Sequence, residues 1–183
     1  MTLHADALAV LSGWAAPNPA QELLRERYVA HLAAHPDGLT RACYPDHLTA
    51  STLVVDRART RALLTLHAKA RAWFQLGGHC EAGDATLAGA ALREATEESG
   101  IASLVLDPVP LRLDEHVVPF CDPRGGVHHL DVWFLATAPD EAGHAVSEES
   151  EDVRWWPLDA LPGDRTTWAE ALTLLRGRGS VVG

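Results

Sequence analysis

The chain has 183 residues, of which 47% are hydrophobic and 22% are charged, enough for one domain with a buried core. These proportions exclude a disordered, collagenous or coiled-coil chain. The formal net charge of −10 repels phosphate backbones and anionic membranes, so the composition predicts no nucleic-acid partner and no membrane partner.

The first part of the chain is predicted to be helical. Asn18-Pro19 is a helix start signal, apolar residues follow at helical spacing, and Pro36-Asp37-Gly38 ends the pattern. We therefore expect residues 1–44 to form a helical extension that packs on the same domain as residues 45–183.

The pattern becomes rich in β-branched and apolar residues after the extension. Strands are predicted over residues 49–55, 62–67, 72–76, 111–119, 129–137 and 153–156. An Ala-rich helix is predicted over residues 87–99, ended by Gly100, and a closing helix over residues 167–175. The acidic stretch 139–152 is predicted to be a solvated loop. This mixture of elements predicts an α/β or α+β fold.

The three cysteines, Cys43, Cys80 and Cys121, are far apart and form no Cys-x-x-Cys pair. This pattern argues against a disulfide framework or a structural zinc knuckle and favours a reducing cytoplasm. Cys80 has no neighbouring His-Asp pattern and is predicted to be inert. Lys69 is the only lysine beside fourteen arginines, which is typical of a GC-rich bacterial genome.

Three carboxylates of the Ala-rich helix, on Glu94, Glu97 and Glu98, lie at i, i+3 and i+4 spacing on one side. Their mutual repulsion costs about 0.2–0.5 kcal/mol per pair, and the C-terminal end of a helix also disfavours anions. Divalent cations such as Mg²⁺ and Mn²⁺ reverse both effects, because they prefer carboxylate oxygens. Arg93 can brace Glu97 one turn away. The alternative interpretation is that the three glutamates form only a solvated acidic face of the helix. The preceding Gly77-Gly78 turn makes this interpretation less favoured.

This segment resembles the Nudix box, G-x5-E-x7-R-E-U-x-E-E-x-G-U, where U is a bulky aliphatic residue. Residues 93–101 match the second half, except that Ala95 is small. In the first half, Asp84 replaces the usual glutamate, and eight residues rather than seven separate it from Arg93. The added residue falls at the helix entry, where Thr86 is predicted to be the N-cap.

The resemblance implies a Nudix-type α/β/α sandwich with a mixed β-sheet. It also implies hydrolysis of a small-molecule nucleoside diphosphate linked to another moiety X, by water attack at phosphorus with Mg²⁺ or Mn²⁺. Carried over by residue, the metal ligands would be the carbonyl of Gly78 and the side chains of Glu94, Glu97 and Glu98. Arg93 would orient a glutamate rather than touch the substrate.

The acidic segment before the last predicted strand offers one more candidate. Nudix hydrolases often add a glutamate from a later loop as a ligand or general base. Glu149 is favoured for this role, with Glu148 and Glu151 as alternatives. The other interpretation is a loop whose acidic residues are only solvated.

A second group of polar residues lies on a predicted strand and consists of His128, His129 and Asp131. A zinc site there would need further ligands, such as His116 or His79. Substrate contacts or ordinary strand pairing are favoured instead. His47 and His79 are predicted to be structural, hydrogen-bonded histidines.

Two other functions share the Nudix fold. A non-catalytic nucleotide sensor would carry an eroded box, whereas the three glutamates are intact here. An isopentenyl-diphosphate isomerase would carry a cysteine followed by Gly-His, whereas this chain has His79-Cys80 after Gly77-Gly78. Hydrolysis is therefore favoured.

The nucleotide itself stays open at this stage. His116 stands at the position after the box where a proline marks many ADP-ribose hydrolases and a tyrosine marks dinucleoside polyphosphate hydrolases. Whether two chains pair through the N-terminal helices is also open.

Overall fold

The structure, a computed structural model, describes residues 1–139, 150–163 and 165–179. Its helices are α1 (Leu3–Gly13), α2 (Pro19–Ala34), α3 (Leu87–Ser99) and α4 (Arg165–Gly177). Its strands are β1 (Asp46–Val55), β2 (Arg61–His67), β3 (Ala72–Phe74), β4 (Leu76–His79), β5 (Val105–Val117), β6 (His128–Thr137) and β7 (Ser150–Pro157). Within those residues, no helix is both long and apolar enough to cross a lipid bilayer.

The strands form one mixed sheet. The main path has the order β3-β2-β1-β6-β5, with β4 also paired to β1 and β7 also paired to β2. The two central strands β1 and β6 are parallel, from Asp46 opposite His128 to Val55 opposite Thr137. The other described strand pairs are antiparallel.

Helices cover both faces of this sheet, because successive residues of β1 and β6 point to opposite sides. On one face, Leu48 and Leu130 pack with residues of α1, α2 and α3. On the other face, Val55 and Trp133 pack with residues of α4, including Trp168. The predicted α/β/α arrangement with a mixed sheet is thereby confirmed.

Helix α2 covers the edge strand β5. The side chain of Gln21 pairs with the backbone of Leu113: its Nε2 donates to the carbonyl at 3.0 Å, and its Oε1 accepts the amide N–H at 2.6 Å. The Tyr28 hydroxyl donates to the carbonyl of Asp114 at 2.8 Å. These bonds satisfy backbone groups that an edge strand would otherwise leave unpaired.

Helix α3 has the ends that its sequence predicts. The Thr86 side chain accepts a hydrogen bond from the Gly89 amide at 3.0 Å, as an N-cap does. Gly100 ends the helix in the left-handed conformation, with φ at 71°, and its amide donates to the carbonyl of Thr96. The predicted bounds of this helix are confirmed.

The predicted strand 72–76 is instead two short strands with different partners, β3 on β2 and β4 on β1. Strand β4 continues through Gly77-Gly78, where a turn was expected. A Cβ at Gly77 would lie only 2.3 Å from the Ser51 Oγ of β1. Glycine is therefore required for the close approach of the two strands.

Three other strands begin three or more residues earlier than predicted, and the first of them, β1, begins at Asp46 rather than at residue 49. Strand β5 begins at Val105 rather than at residue 111, with an irregular register between Asp107 and Arg112 that interrupts the expected pattern. Strand β7 begins at Ser150, so Asp152 belongs to a strand paired with β2 rather than to a solvated loop.

Helix α1 supplies a second cap to α3. Asp6 is buried, and its Oδ2 accepts a hydrogen bond from the Leu87 amide at 2.7 Å. We expect Asp6→Ala to lower the free energy of unfolding by about 1–3 kcal/mol, because a buried amide N–H loses its partner. Urea denaturation measures this loss. Asp159→Ala removes an exposed carboxylate and is the control; an equal effect in both variants would contradict the assignment.

Candidate functional site

Helix α3 lies against β4, and its glutamates meet the two glycines there. The Gly77 amide donates to Glu98 Oε2 at 2.9 Å. A Cβ at Gly78 would lie 2.8 Å from the Glu94 carboxyl carbon. Glycines in β4 therefore let two carboxylates approach the strand backbone closely. Glu97, one helical turn from Glu94 on the same helix, is exposed.

Arg93 connects the helix to the strand and to the loop between them. Its Nη1 donates to Glu94 Oε1 at 3.1 Å and to Glu97 Oε2 at 3.0 Å. Its Nη2 donates to the carbonyl of His79 at 3.0 Å. One guanidinium thus fixes two glutamates relative to β4, since its fork of N–H groups is planar and rigid.

Asp84 holds Arg93 from the other side. Its two oxygens accept from Arg93 Nε and Nη2, both at 3.0 Å. Burial raises the pKa of Asp84, but the hydrogen bonds from Arg93 and from the Glu81 amide outweigh that effect and keep the pKa below its usual value. Asp84 is therefore ionised and engaged with Arg93. The added residue before Arg93 is accommodated without loss of this contact.

These residues line a cleft of about 430 Å³, whose described lining is Arg41, Gly78, His79, Cys80, Glu81, Arg93, Glu94, Glu97 and Glu98. A larger cleft of about 630 Å³ lies elsewhere, between the end of β7 and α4. Asp159 is the one carboxylate among the described residues of that larger cleft. The smaller cleft is the candidate site, because several carboxylates lie there together with backbone groups of β4 and the side chains of two arginines.

The donor set in this cleft fits a hard divalent cation. Carboxylate oxygens, supplemented by backbone carbonyls, are the ligands that Mg²⁺ and Mn²⁺ prefer. Glu94 and Glu98 are held against the same strand, with Gly78 at the cleft wall. The arrangement can therefore hold divalent metal ions, which could in turn bind an anionic ligand in the cleft.

The predicted loop glutamate is not placed by the structure. Glu148 and Glu149 lie outside the described residues. Glu151 is exposed in β7, at the irregular register between β2 and β7, and is not among the described residues that line the cleft.

Four side chains from distant parts of the sequence converge beside the cleft, with one ligand atom from each lying within 4.8 Å of the others: His47, His79, Cys121 and His129. The Nε2 atoms of His47 and His79 are 3.1 Å apart. The Cys121 Sγ lies 3.8 Å from His47 Nε2, 3.5 Å from His79 Nε2 and 3.4 Å from His129 Nε2. We call these four residues the histidine–cysteine cluster.

The other residues of the second predicted group have different partners. His128 Nδ1 lies 2.9 Å from an Asp46 carboxylate oxygen. Asp131 is buried and accepts from the hydroxyls of Thr49 at 2.8 Å and Ser51 at 2.7 Å.

His116 also lies outside the histidine–cysteine cluster, although the sequence made it a candidate ligand. Its Nδ1 is 3.0 Å from Asp114 Oδ2. Burial lowers the pKa of His116, but the hydrogen bond to Asp114 and the nearby Asp131 charge outweigh it and raise the pKa.

The three histidines of the histidine–cysteine cluster have lowered pKa values, in contrast to His116. Burial lowers the pKa of His79 to about 3, and electrostatic interactions with Arg41 and His47 lower it further. Burial, with repulsion from neighbouring histidines, lowers the pKa of His129 to about 2. Burial also lowers the pKa of His47. All three rings are therefore neutral at physiological pH.

The thiol of Cys80 lies outside this cluster. Burial raises the pKa of Cys80 to about 12, so the group remains a protonated thiol at physiological pH. A thiol is a poor nucleophile compared with a thiolate.

Two residues at or beside the cleft were not predicted from the sequence. Arg41 lies in the segment before β1 and carries no local motif, yet it lines the cleft. Cys121 carried one signal, its position eight residues before His129, but only the folded chain brings it to His47 and His79.

Comparisons with known proteins support the fold described above. The sequence profile of the NUDIX domain matches residues 45–175. Among curated proteins, none gives a significant sequence match.

Solved structures match over most of both chains. A hydrolase of the NUDIX family from Clostridium perfringens is 23% identical, with a TM-score of 0.57 over 71% of this chain and 96% of that one. The E. coli dihydroneopterin triphosphate pyrophosphohydrolase is 19% identical, with a TM-score of 0.58 over 72% and 96%. The NUDIX domain of Shewanella oneidensis NrtR, complexed with ADP ribose, is 20% identical, with a TM-score of 0.52 over 79% and 95%. At these identities the likeness shows the fold.

Proposed function

Because the chain belongs to the Nudix family, whose hydrolases act on phosphoric anhydride bonds, we propose that it is a metal-dependent pyrophosphohydrolase of a nucleoside diphosphate linked to another moiety. One observation carries this proposal: Arg93 ties Glu94 and Glu97 to β4 in a cleft that Glu98 also lines. Carboxylates fixed in this way can hold the divalent cations that activate water for attack at phosphorus.

Glu94, Glu97, Glu98 and the carbonyl of Gly78 would hold Mg²⁺ or Mn²⁺. When bound, such ions neutralise phosphate charge and lower the pKa of a coordinated water towards neutrality. The protein supplies orientation: the Gly77 amide fixes Glu98 at 2.9 Å.

Arg93 is a positioning residue in this proposal. Its hydrogen bonds go to Asp84, Glu94, Glu97 and the His79 carbonyl. Those contacts occupy its guanidinium, so its role is to hold the glutamates rather than to bind phosphate. Glu149 stays the proposed additional glutamate, as an expectation from the family resemblance.

Arg41 is a candidate for direct contact with the substrate. It is exposed, and it lines the cleft together with the carboxylates. A chain with a net charge of −10 needs local positive charge to attract an anion, and arginine forms bidentate hydrogen bonds with phosphate.

We expect Arg41→Ala to raise KM about tenfold with a smaller change in kcat, because a hydrogen bond to a charged group contributes about 1.5–3 kcal/mol. Steady-state kinetics with the cleaved compound measure this split. Arg165→Ala removes an equal charge from the exposed start of α4 and is the control. Equal KM values in both variants would contradict a phosphate contact by Arg41.

The substrate is sought in a panel of compounds with phosphoric anhydride bonds. ADP-ribose belongs there because the NrtR domain binds it, and nucleoside triphosphates because the E. coli neighbour acts on a triphosphate. Nucleotide sugars, diadenosine polyphosphates and CDP-alcohols complete the panel. Isopentenyl diphosphate tests the isomerase alternative.

Each compound is incubated with the protein and Mg²⁺, Mn²⁺ or EDTA, and products are separated by chromatography. Metal-dependent cleavage of one class supports the proposal and names the substrate. Tight, metal-independent binding of a panel member without turnover contradicts it and favours a nucleotide sensor.

A further inference from the structure

We infer that the histidine–cysteine cluster is a zinc-binding site, separate from the carboxylate cleft. It brings together three imidazole nitrogens and one thiol sulfur within 4.8 Å of one another. Nothing in the hydrolysis of a diphosphate requires these four side chains to converge.

The separations fit one tetrahedral ion. With Zn–N near 2.0–2.1 Å and Zn–S near 2.3 Å, tetrahedral angles place two nitrogens about 3.3 Å apart and a nitrogen and sulfur about 3.5 Å apart. The Nε2 atoms of His47 and His79 are 3.1 Å apart. The Cys121 sulfur lies 3.4–3.8 Å from the three histidine nitrogens. Four of the six separations therefore match one tetrahedral zinc shell, and the remaining two lie within 4.8 Å.

The tautomer of His47 is fixed in the form that zinc needs. His47 Nδ1 lies 3.2 Å from the carbonyl oxygen of Cys43. A carbonyl only accepts, so Nδ1 carries the proton and the neutral ring directs the Nε2 lone pair at the cluster. Metal-binding histidines generally donate their other N–H in this way.

The chemistry of the donors distinguishes this site from the cleft. A thiolate with imidazoles favours zinc, whereas carboxylates and carbonyls favour Mg²⁺ or Mn²⁺. Four protein ligands also close a tetrahedral shell, as in structural rather than catalytic zinc sites. His79 borders both sites: its carbonyl accepts from Arg93 at the cleft, whereas its Nε2 lies beside His47 and Cys121. Successive residues of β4 point to opposite faces, so the His79 ring is on the face opposite to the one where Glu94 approaches Gly78.

The ligands join four segments of the chain. His47 is in β1, His79 in β4 and His129 in β6, while Cys121 lies in the connection between β5 and β6. A bound zinc would therefore fasten that connection to the sheet and fix the end of β4 beside the cleft. Its binding free energy adds to folding stability, because the unfolded chain holds no preformed site.

The test uses the full chain without a polyhistidine tag, produced in zinc-supplemented medium and passed through a mild chelator. Zinc per chain is measured by inductively coupled plasma mass spectrometry, and Tm by calorimetry. Cys121→Ser and His129→Asn remove ligands. Cys80→Ser and His128→Asn are matched controls outside the cluster.

We expect one zinc per chain in the wild type and both controls, and loss of stoichiometric zinc with a lower Tm in both ligand variants. Co²⁺ added to the zinc-free wild-type chain should give tetrahedral d–d bands and a sulfur-to-cobalt charge-transfer band, which does not depend on how the variants fold. Glu98→Gln should retain its zinc, which separates this site from the cleft. A wild-type chain that binds neither Zn²⁺ nor Co²⁺ overturns the inference, as does Cys121→Ser with full zinc content.

Discussion

Replacing Glu98 with glutamine is expected to lower kcat by about 100-fold or more, because one metal-binding carboxylate loses its charge. The substitution keeps the side chain's shape. It also keeps an oxygen that can accept the Gly77 amide, which is 2.9 Å from Glu98 Oε2. The loss should therefore appear in turnover rather than in stability.

The measurement is kcat at saturating Mg²⁺, together with Tm. Glu26→Gln is the control, since it removes the same charge from an exposed position on α2. A variant at Glu98 that retains more than about a tenth of the wild-type kcat would contradict a metal-binding role.

Replacing Arg93 with lysine is expected to lower kcat/KM by about 10–100-fold, the usual effect of losing a group that orients metal ligands. Lysine keeps the charge but not the fork that binds both oxygens of Asp84 at 3.0 Å. The glutamates then lose their fixed positions, so a higher Mg²⁺ concentration should be needed for half-maximal activity.

The same change should lower the free energy of unfolding, since hydrogen bonds to charged groups contribute about 1.5–3 kcal/mol each. Activity is titrated with Mg²⁺, and stability is followed in urea. Arg165→Lys, at an exposed position, is the control. An unchanged Mg²⁺ requirement at wild-type stability would show that Arg93 does not position the glutamates.

Helix α3, which carries the residues that resemble the Nudix box, was predictable because the residues that determine it are close in sequence. Thr86 and Gly100 fix its ends, and the spacing of the glutamates within it follows from the helical repeat. The contact of Arg93 with Glu97 likewise spans only four residues, whereas its contact with Asp84, nine residues away, was not predicted. Such features depend on neighbours in the sequence.

The remaining features depend on how distant strands pair. The sequence does not show that residues 72–79 form two strands with different partners, β3 on β2 and β4 on β1. The second pairing places His79 opposite Thr49. Nor does it show the parallel register that sets His47 beside His129. The histidine–cysteine cluster follows from these pairings and from a loop that returns Cys121 to the sheet, so spacing alone argued against a metal there.

The most direct test of the central claim is the fate of the attacking water. The compound that the protein cleaves fastest is hydrolysed in ¹⁸O-labelled water with Mg²⁺ or with EDTA, and the products are analysed by mass spectrometry. We predict one labelled oxygen on a phosphate of one product, formed only with the divalent cation. Turnover that persists in EDTA, or label on an atom other than a phosphate oxygen, would contradict metal-dependent hydrolysis at phosphorus by this carboxylate cleft.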